Sequence, residues 1–173
     1  MARKTEIIIV EDEFRDMFLY LPDMLGSDGN LYTPTFKIGD HKELLAFFAQ
    51  SNGSIKYPLI WLERPFSEVH HHNKVKLQGA NLIVAIQTNT DLTDRERMDL
   101  TFKPTLIPLT NNIINLFRVA NTIDVFYPYT ITKYPNYSDV EAGEQNGFVD
   151  IWDAVRINFD CTINDSCLRQ IKI

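Results

Sequence analysis

The feature that most constrains the fold of this chain is an alternation of apolar and polar side chains over residues 149–163. The apolar set is Val149, Ile151, Val155, Ile157, Phe159, Cys161 and Ile163, and the polar set is Asp150, Arg156, Asn158, Asp160 and Thr162. Because successive side chains of a β-strand point to opposite faces of a sheet, the pattern predicts a long strand with one buried and one wet face. A slip of one residue would move the apolar set into water, so the strand needs a fixed place in a covered sheet.

A central strand is predicted over residues 75–88, because the second half of this stretch is almost continuously apolar. Val75 and Leu77 have odd numbers, whereas Leu82, Val84 and Ile86 have even numbers. A bulge near Gly79 would bring the two halves onto one face. Shorter strands are predicted over residues 32–38, 57–62 and 123–132. A proline in the 57–62 stretch favours an edge strand or the first residue of a strand.

Helices are predicted over residues 5–25, 41–50 and 104–120, where apolar residues recur at steps of three and four. Asp40 is the expected N-cap of the second helix, and Pro22 and Gly26 are expected to help end the first. Residues 90–103 are expected to be a polar connector, and residues 134–147 a long polar loop. Together these elements predict a single α+β domain over residues 1–173, with a mostly antiparallel sheet and helices packed on one face.

Composition narrows the classes of function. The 173 residues have a formal net charge of -6, so there is no overall positive field to attract nucleic acid or anionic lipid. Apolar runs are far shorter than the roughly 20 residues of a membrane helix, and the first residues lack the pattern of a secretory signal. We therefore expect a protein made in a cytoplasm, with Cys161 and Cys167 as reduced structural thiols, because their spacing fits neither a redox pair nor a usual zinc site.

The run His70, His71 and His72 is the sharpest local feature, since neutral imidazoles are common metal ligands. On an extended chain His70 and His72 point the same way and His71 points oppositely, so at most two of them share a metal. Glu68 or His41 would have to supply a third ligand. We expect a solvated loop or an inter-subunit contact, and no metal.

Catalytic chemistry has no clear signature in the sequence. Carboxylates cluster at positions 11–13 and again at 91–99, both in hydrophilic surroundings where paired pKa values are not expected to separate. No nucleophile elbow, phosphate-binding loop, dinucleotide fingerprint or zinc-protease helix motif occurs. The sequence therefore predicts a non-enzymatic protein with no cofactor.

One polar segment is a candidate interface. Asp94, Arg95, Glu96 and Arg97 alternate in charge, and arginine is enriched where subunits meet because its planar fork pairs with carboxylates. A surface helical turn, started by a capping box between Thr93 and Glu96, explains the segment equally well. We take these four residues as candidate inter-subunit contacts, with Arg95 and Arg97 reaching carboxylates of a neighbour.

Four segments in the middle of the chain form a recognisable succession: residues 57–62 (YPLIWL), 82–88 (LIVAIQT), 95–97 (RER) and 102–109 (FKPTLIPL), within about a third of the chain. This succession resembles tail-terminator and head-to-tail completion proteins of tailed bacteriophages. The resemblance implies a tail-terminator-like fold and a structural subunit that forms a homo-oligomeric ring of the virion neck, with the tail tube, portal or connector proteins as partners. Family members form rings of six or of twelve subunits. The histidine run and the 134–147 loop have no counterpart in the family pattern.

Two rival functions stay open from the sequence. One is a small metal-dependent enzyme built on His70, His72 and a carboxylate. The other is a cytoplasmic regulatory or ligand-binding module that is monomeric or dimeric.

Overall fold

The computed structural model describes residues 8–26, 29–49, 57–89, 91–137 and 151–164. In chain order the elements are α1 (Val10–Phe18), β1 (Met24–Leu25), β2 (Leu31–Tyr32), β3 (Thr35–Asp40), α2 (His41–Ala49), β4 (Leu59–Arg64), β5 (Ser67–His71), β6 (Lys74–Gln87), α3 (Asp94–Arg97), a π-helix (Met98–Leu106), α4 (Ile107–Val119), β7 (Ile123–Val125), β8 (Thr130–Tyr134) and β9 (Trp152–Asn164). This mixture of helices and a mostly antiparallel sheet confirms the predicted α+β class.

The two longest strands, β6 and β9, form the middle of a seven-stranded sheet. They pair antiparallel from Lys74 opposite Asn164 to Gln87 opposite Trp152. The strand order is β3-β4-β6-β9-β7, and β3 with β4 is the only parallel pair in this sheet as described. A register shift between Leu77 and Ala80 confirms the predicted bulge near Gly79, which has a φ of 68° that glycine adopts without strain.

Each flank of the β6–β9 pair carries two short strands end to end. On one side β4 pairs with the second half of β6 and β5 pairs with its first half. On the other side β8 pairs with the first half of β9 and β7 with its second half. The stretch predicted as one strand over residues 123–132 is therefore two strands, β7 and β8, separated by a connector that contains Pro128.

Helices cover both faces of the sheet, and not one face as predicted. The larger core packs α1, the π-helix and α4 against one face, hereafter the helix face. The opposite face is covered at one end by α2, where Leu44 and Phe48 pack on Trp61 and Trp152. Phe48 and Trp152 stack with their ring centroids 3.9 Å apart. The first residues of β9 are therefore buried on both faces of the sheet. Asn158, further along the strand, is exposed as predicted.

Helix boundaries differ from the predictions for local reasons. Helix α1 ends at Phe18 and not near residue 25, because Pro22 has no N–H to give to the carbonyl of Phe18 and disfavours helical geometry at Leu21. Leu25 instead lies in β1 and is exposed. Helix α2 begins after Asp40 as predicted, because the Asp40 carboxylate accepts a 2.8 Å hydrogen bond from the N–H of Glu43.

The polar connector predicted over residues 90–103 is largely helical. A capping box at Thr93 and Glu96 starts α3, and the π-helix then continues without a break into α4. The predicted helix over 104–120 is thus correct from Ile107 onward. Pro58 directly precedes β4, but β4 lies inside the sheet and is not an edge. Most of the predicted 134–147 loop and Cys167 lie outside the described residues.

The burial of Ile157 against the helices provides a test of the fold. Ile157→Asp places an unpaired charge in the core, where burial costs several kcal/mol, so we expect the variant to be unfolded or to lose most of a typical stability of about 5–15 kcal/mol. Chemical denaturation followed by circular dichroism measures this loss. Asn158→Ser, on the wet face, is the matched control and should cost less than about 1 kcal/mol. Equal damage from both variants would contradict the assigned faces.

Candidate assembly surface

A buried ion pair joins the segment that was predicted as an interface to the start of β9. Arg97 is 3% exposed, and its guanidinium Nη1 lies 2.8 Å from a carboxylate oxygen of Asp153, which is fully buried. The guanidinium also donates to the main-chain carbonyls of Leu92 (3.2 Å) and Asn89 (2.9 Å). Thr101 donates to the other carboxylate oxygen at 2.6 Å. The charges of Arg97 and Asp153 are thus compensated inside the subunit.

This geometry corrects the prediction for Arg97, whose guanidinium is engaged with its own chain and does not reach a neighbour. The misleading signal was the alternation of charge, which cannot tell a helix face that points to water from one that points to a buried carboxylate. Asp94, Arg95 and Glu96 are exposed, and their contact with a neighbouring subunit stays a prediction. Hydrogen bonds from Thr93 to the Glu96 carboxylate lower the pKa of Glu96.

Removal of the buried negative charge should destabilise the fold. Asp153→Asn leaves the Arg97 guanidinium uncompensated, and such a loss typically costs about 3–5 kcal/mol of unfolding free energy. Urea denaturation of the variant checks the value. Asp94→Asn, an exposed carboxylate in α3, is the matched control and should change stability by less than about 0.5 kcal/mol. If Asp153→Asn is as mild as Asp94→Asn, the ion pair does not contribute to stability.

The histidine run lies at the tip of the hairpin formed by β5 and β6. His70 and His71 are the last residues of β5, His72 is in the turn, and all three are exposed. The ring nitrogen Nε2 of His70 lies 2.8 Å from a carboxylate oxygen of Glu68 on the same strand. No group of three or more potential ligands that could hold a metal occurs among the residues described, so the geometry gives the metal hypothesis no support.

A polar network holds the start of α2 on the sheet. The Nδ1 atom of His41 lies 3.2 Å from Glu63, whose other carboxylate oxygen is 3.9 Å from Arg156. Arg156 also donates to the hydroxyl of Tyr137 and lies over the ring of Tyr134, 5.3 Å from its centroid. These contacts join the first residue of α2 to β4 and β9, so the network anchors α2 on the sheet.

Among the described strands β3, β5, β7 and β8 each pair on one side only, and β5 and β8 are the most exposed of these edge strands. Every residue of β5 is exposed, and β5 pairs with β6 alone among the described strands. Every residue of β8 except Tyr134 is exposed, and β8 pairs with β9 alone within the described ranges. Exposed main-chain N–H and C=O groups of an edge strand can pair with a strand of another chain. Sequence reasoning missed β5, because its residues (Ser67, Glu68, Val69, His70, His71) do not alternate in polarity.

A shallow cavity of about 370 Å³ lies beside the start of β8, between the end of α4 and β7. Phe117 and Ile123 line it together with the polar groups of Arg118 and Asp124. The Nε of Arg118 donates to the Tyr127 hydroxyl at 3.4 Å, and this contact raises the pKa of Arg118. Tyr127 is 67% exposed. Arginine and aromatic side chains are both enriched at protein interfaces.

Cys161 is a buried, unpaired thiol on the helix face of β9. Burial, with smaller contributions from Asp160 and Asp124, raises its pKa to about 12. The thiol therefore stays protonated and unreactive near neutral pH, as expected for a structural cysteine.

No family model matches this chain, and no curated protein matches it significantly. None of the helices in the described ranges has the length and apolar character needed to cross a lipid bilayer.

Proposed function

We propose that this protein is a structural subunit, and not an enzyme, that forms a closed homo-oligomeric ring at the head–tail junction of a tailed bacteriophage, as a tail terminator or neck ring protein. The virion assignment derives from the resemblance of residues 57–62, 82–88, 95–97 and 102–109. Its partners are further copies of the chain and the adjoining tail-tube, portal or connector proteins. The assembly part of the proposal derives from the geometry of the sheet.

The observation that carries the proposal is a pair of exposed edge strands, β5 and β8, on opposite flanks of the sheet as described; the other two edge strands, β3 and β7, are partly buried. Edges β5 and β8 belong to different surfaces of the molecule, so a contact between them joins unlike patches of two copies. Such a heterologous contact repeats from copy to copy and gives a ring when the rotation closes.

Composition of the β8 flank supports the same function. Its exposed side chains include Phe126, Tyr127 and Ile131 together with Arg118, all on or beside the open edge. Tyrosine and arginine are enriched among the few residues that carry most of the binding energy of protein interfaces. In a monomer these side chains would not be covered by the surface of a second subunit.

The ring proposal predicts a defined oligomer. We expect sedimentation of the purified protein at rising concentration to give a single multiple of the subunit mass, alone or when mixed with its neighbouring rings. Electron microscopy with an antibody against the protein should label the head–tail junction of purified particles. A protein that stays monomeric at high concentration and is also absent from particles would contradict the proposal.

The exposed part of the α3 segment gives a separate prediction. Arg95→Glu should weaken assembly, because reversal of an interface charge replaces attraction with repulsion, while circular dichroism shows an intact fold. Lys42→Glu, an exposed charge reversal on α2, is the matched control and should assemble normally. If the Arg95→Glu variant assembles normally, α3 is not part of the interface, and the exposed strands β5 and β8 are the remaining candidate contact.

The cavity at Arg118 and Tyr127 favours a ligand-binding module as the second candidate function. Its volume lies within the usual range for small-molecule sites, and Arg118 would receive a carboxylate or phosphate group. Thermal unfolding with and without a panel of small anions separates the candidates. A specific rise in melting temperature that Arg118→Ala abolishes, in a protein that remains monomeric, would favour the ligand-binding function.

A further inference from the structure

We propose that strand β5 of one copy pairs antiparallel with strand β8 of the next copy, so that the sheet continues from subunit to subunit. The inference rests on the proposed ring and specifies its joint. The register is Ser67 opposite Tyr134, Glu68 opposite Lys133, Val69 opposite Thr132, His70 opposite Ile131 and His71 opposite Thr130.

Strand direction is the first argument for this joint. Strand β5 runs antiparallel to β6, β6 antiparallel to β9, and β9 antiparallel to β8. Strands β5 and β8 of one copy therefore run in opposite directions. Strand β5 lies level with residues 74–78 of β6, and β8 lies level with residues 81–85. When a second copy is placed sideways, with its helices on the same side of the sheet, and is displaced by about seven residues along the strands, its β5 meets β8 of the first copy in the antiparallel arrangement, which is the more stable pairing.

The faces of the two strands select a small set of registers. Glu68 and His70 share the helix face, because they lie opposite the buried Leu77 and Val75 of β6. Residues 131 and 133 of β8 share the same face, because they lie opposite Ile157 and Val155 of β9. Only registers that place even-numbered residues of β5 opposite odd-numbered residues of β8 keep the helices of both copies on one side.

Strand length then selects one register from this set. Both strands have five residues, and the proposed register is the one in which all five pairs form. A shift by two residues in either direction would leave two residues of each strand unpaired. Full pairing satisfies the largest number of main-chain donors and acceptors along both open edges.

Charge supports the same register. It places the Lys133 ammonium directly opposite the Glu68 carboxylate, and opposite charges at facing positions stabilise a strand pair. Both side chains are exposed in the subunit, and Glu68 already orients toward His70 on the same face. No pair in the register brings like charges together. The apolar Val69 and Ile131, 42% and 44% exposed in the subunit, become covered by the facing strand.

The joint also gives a role to the surface that lies next to the start of β8. Residue 130 lies opposite His71, so the hairpin turn at His72 and Asn73 extends past the start of β8 toward Tyr129 and Tyr127. These tyrosines form the rim of the cavity beside Arg118. The exposed aromatic surface and the exposed histidine tip, each without an assigned role, thus come together at one contact.

Engineered cysteines test the register directly. The variant carries Val69→Cys and Thr132→Cys in a Cys167→Ser background, with the buried Cys161 unchanged. Within one chain the two new cysteines lie three strand spacings apart across the sheet and about seven residues apart along it, roughly 25–30 Å in all, which is too far for a disulfide, whereas facing residues of a strand pair are within range. Mild oxidation should therefore give covalent multimers on a non-reducing gel. Ser67→Cys with Thr130→Cys, about four residues out of register, is the matched control and should stay unlinked.

Charge exchange gives an independent readout. Glu68→Lys and Lys133→Glu should each weaken a joint by roughly two- to fivefold in dissociation constant, and the double variant should recover assembly. Two results together would overturn this joint but not the ring. The cysteine variant would form oligomers without the Val69–Thr132 disulfide, and the double charge variant would not recover assembly. A persistently monomeric protein that is absent from particles would instead overturn the ring, and the joint with it. Covalent multimers from the control pair would also overturn the register.

Discussion

The antiparallel pairing of β6 with β9 is the constraint on which the rest of the structure depends. These two strands are 14 and 13 residues long, and every other strand of the main sheet attaches to one of them directly or through β4. Because each is about twice the length of its flanking strands, each flank is completed by two short strands in succession. The register of this long pairing also decides the environment of the side chains on both faces of the sheet. It determines which side chains pack against α1, the π-helix and α4, and which face α2 or solvent.

The ion pair of Arg97 and Asp153 solves a problem that this arrangement creates. Asp153 belongs to the parity of β9 that faces the larger core, so a carboxylate enters an apolar environment unless a cation accompanies it. Arg97 and Thr101, one turn apart on the helical segment, supply the compensating charge and a hydroxyl donor. A buried pair of this kind adds little net stability compared with apolar residues, but it penalises any packing in which only one partner is buried. It therefore fixes the position of the π-helix on the sheet.

Local patterns predicted the elements whose structure is decided locally. The alternation along β9 from Val155 onward, the parity change at Gly79 in β6 and the N-cap at Asp40 each depend on neighbours in sequence, and each is confirmed. Features decided by distant partners were missed. The burial of Arg97 depends on a carboxylate 56 positions away, and β5 is a strand because of its pairing with β6 and not because of its own composition. Whether a strand lies at an edge is likewise a property of the whole sheet.

The charges on the two open edges bear on which assembly is possible. A strand edge can pair with any other edge, so proteins limit unwanted pairing with charged side chains in short edge strands. In a joint of β8 with a second β8, two Lys133 side chains lie on one face with no carboxylate from either strand. In a joint of β8 with β5, the same lysine meets Glu68. The edge charges therefore disfavour the symmetric β8 dimer and favour the unlike contact, which is the kind that propagates around a ring.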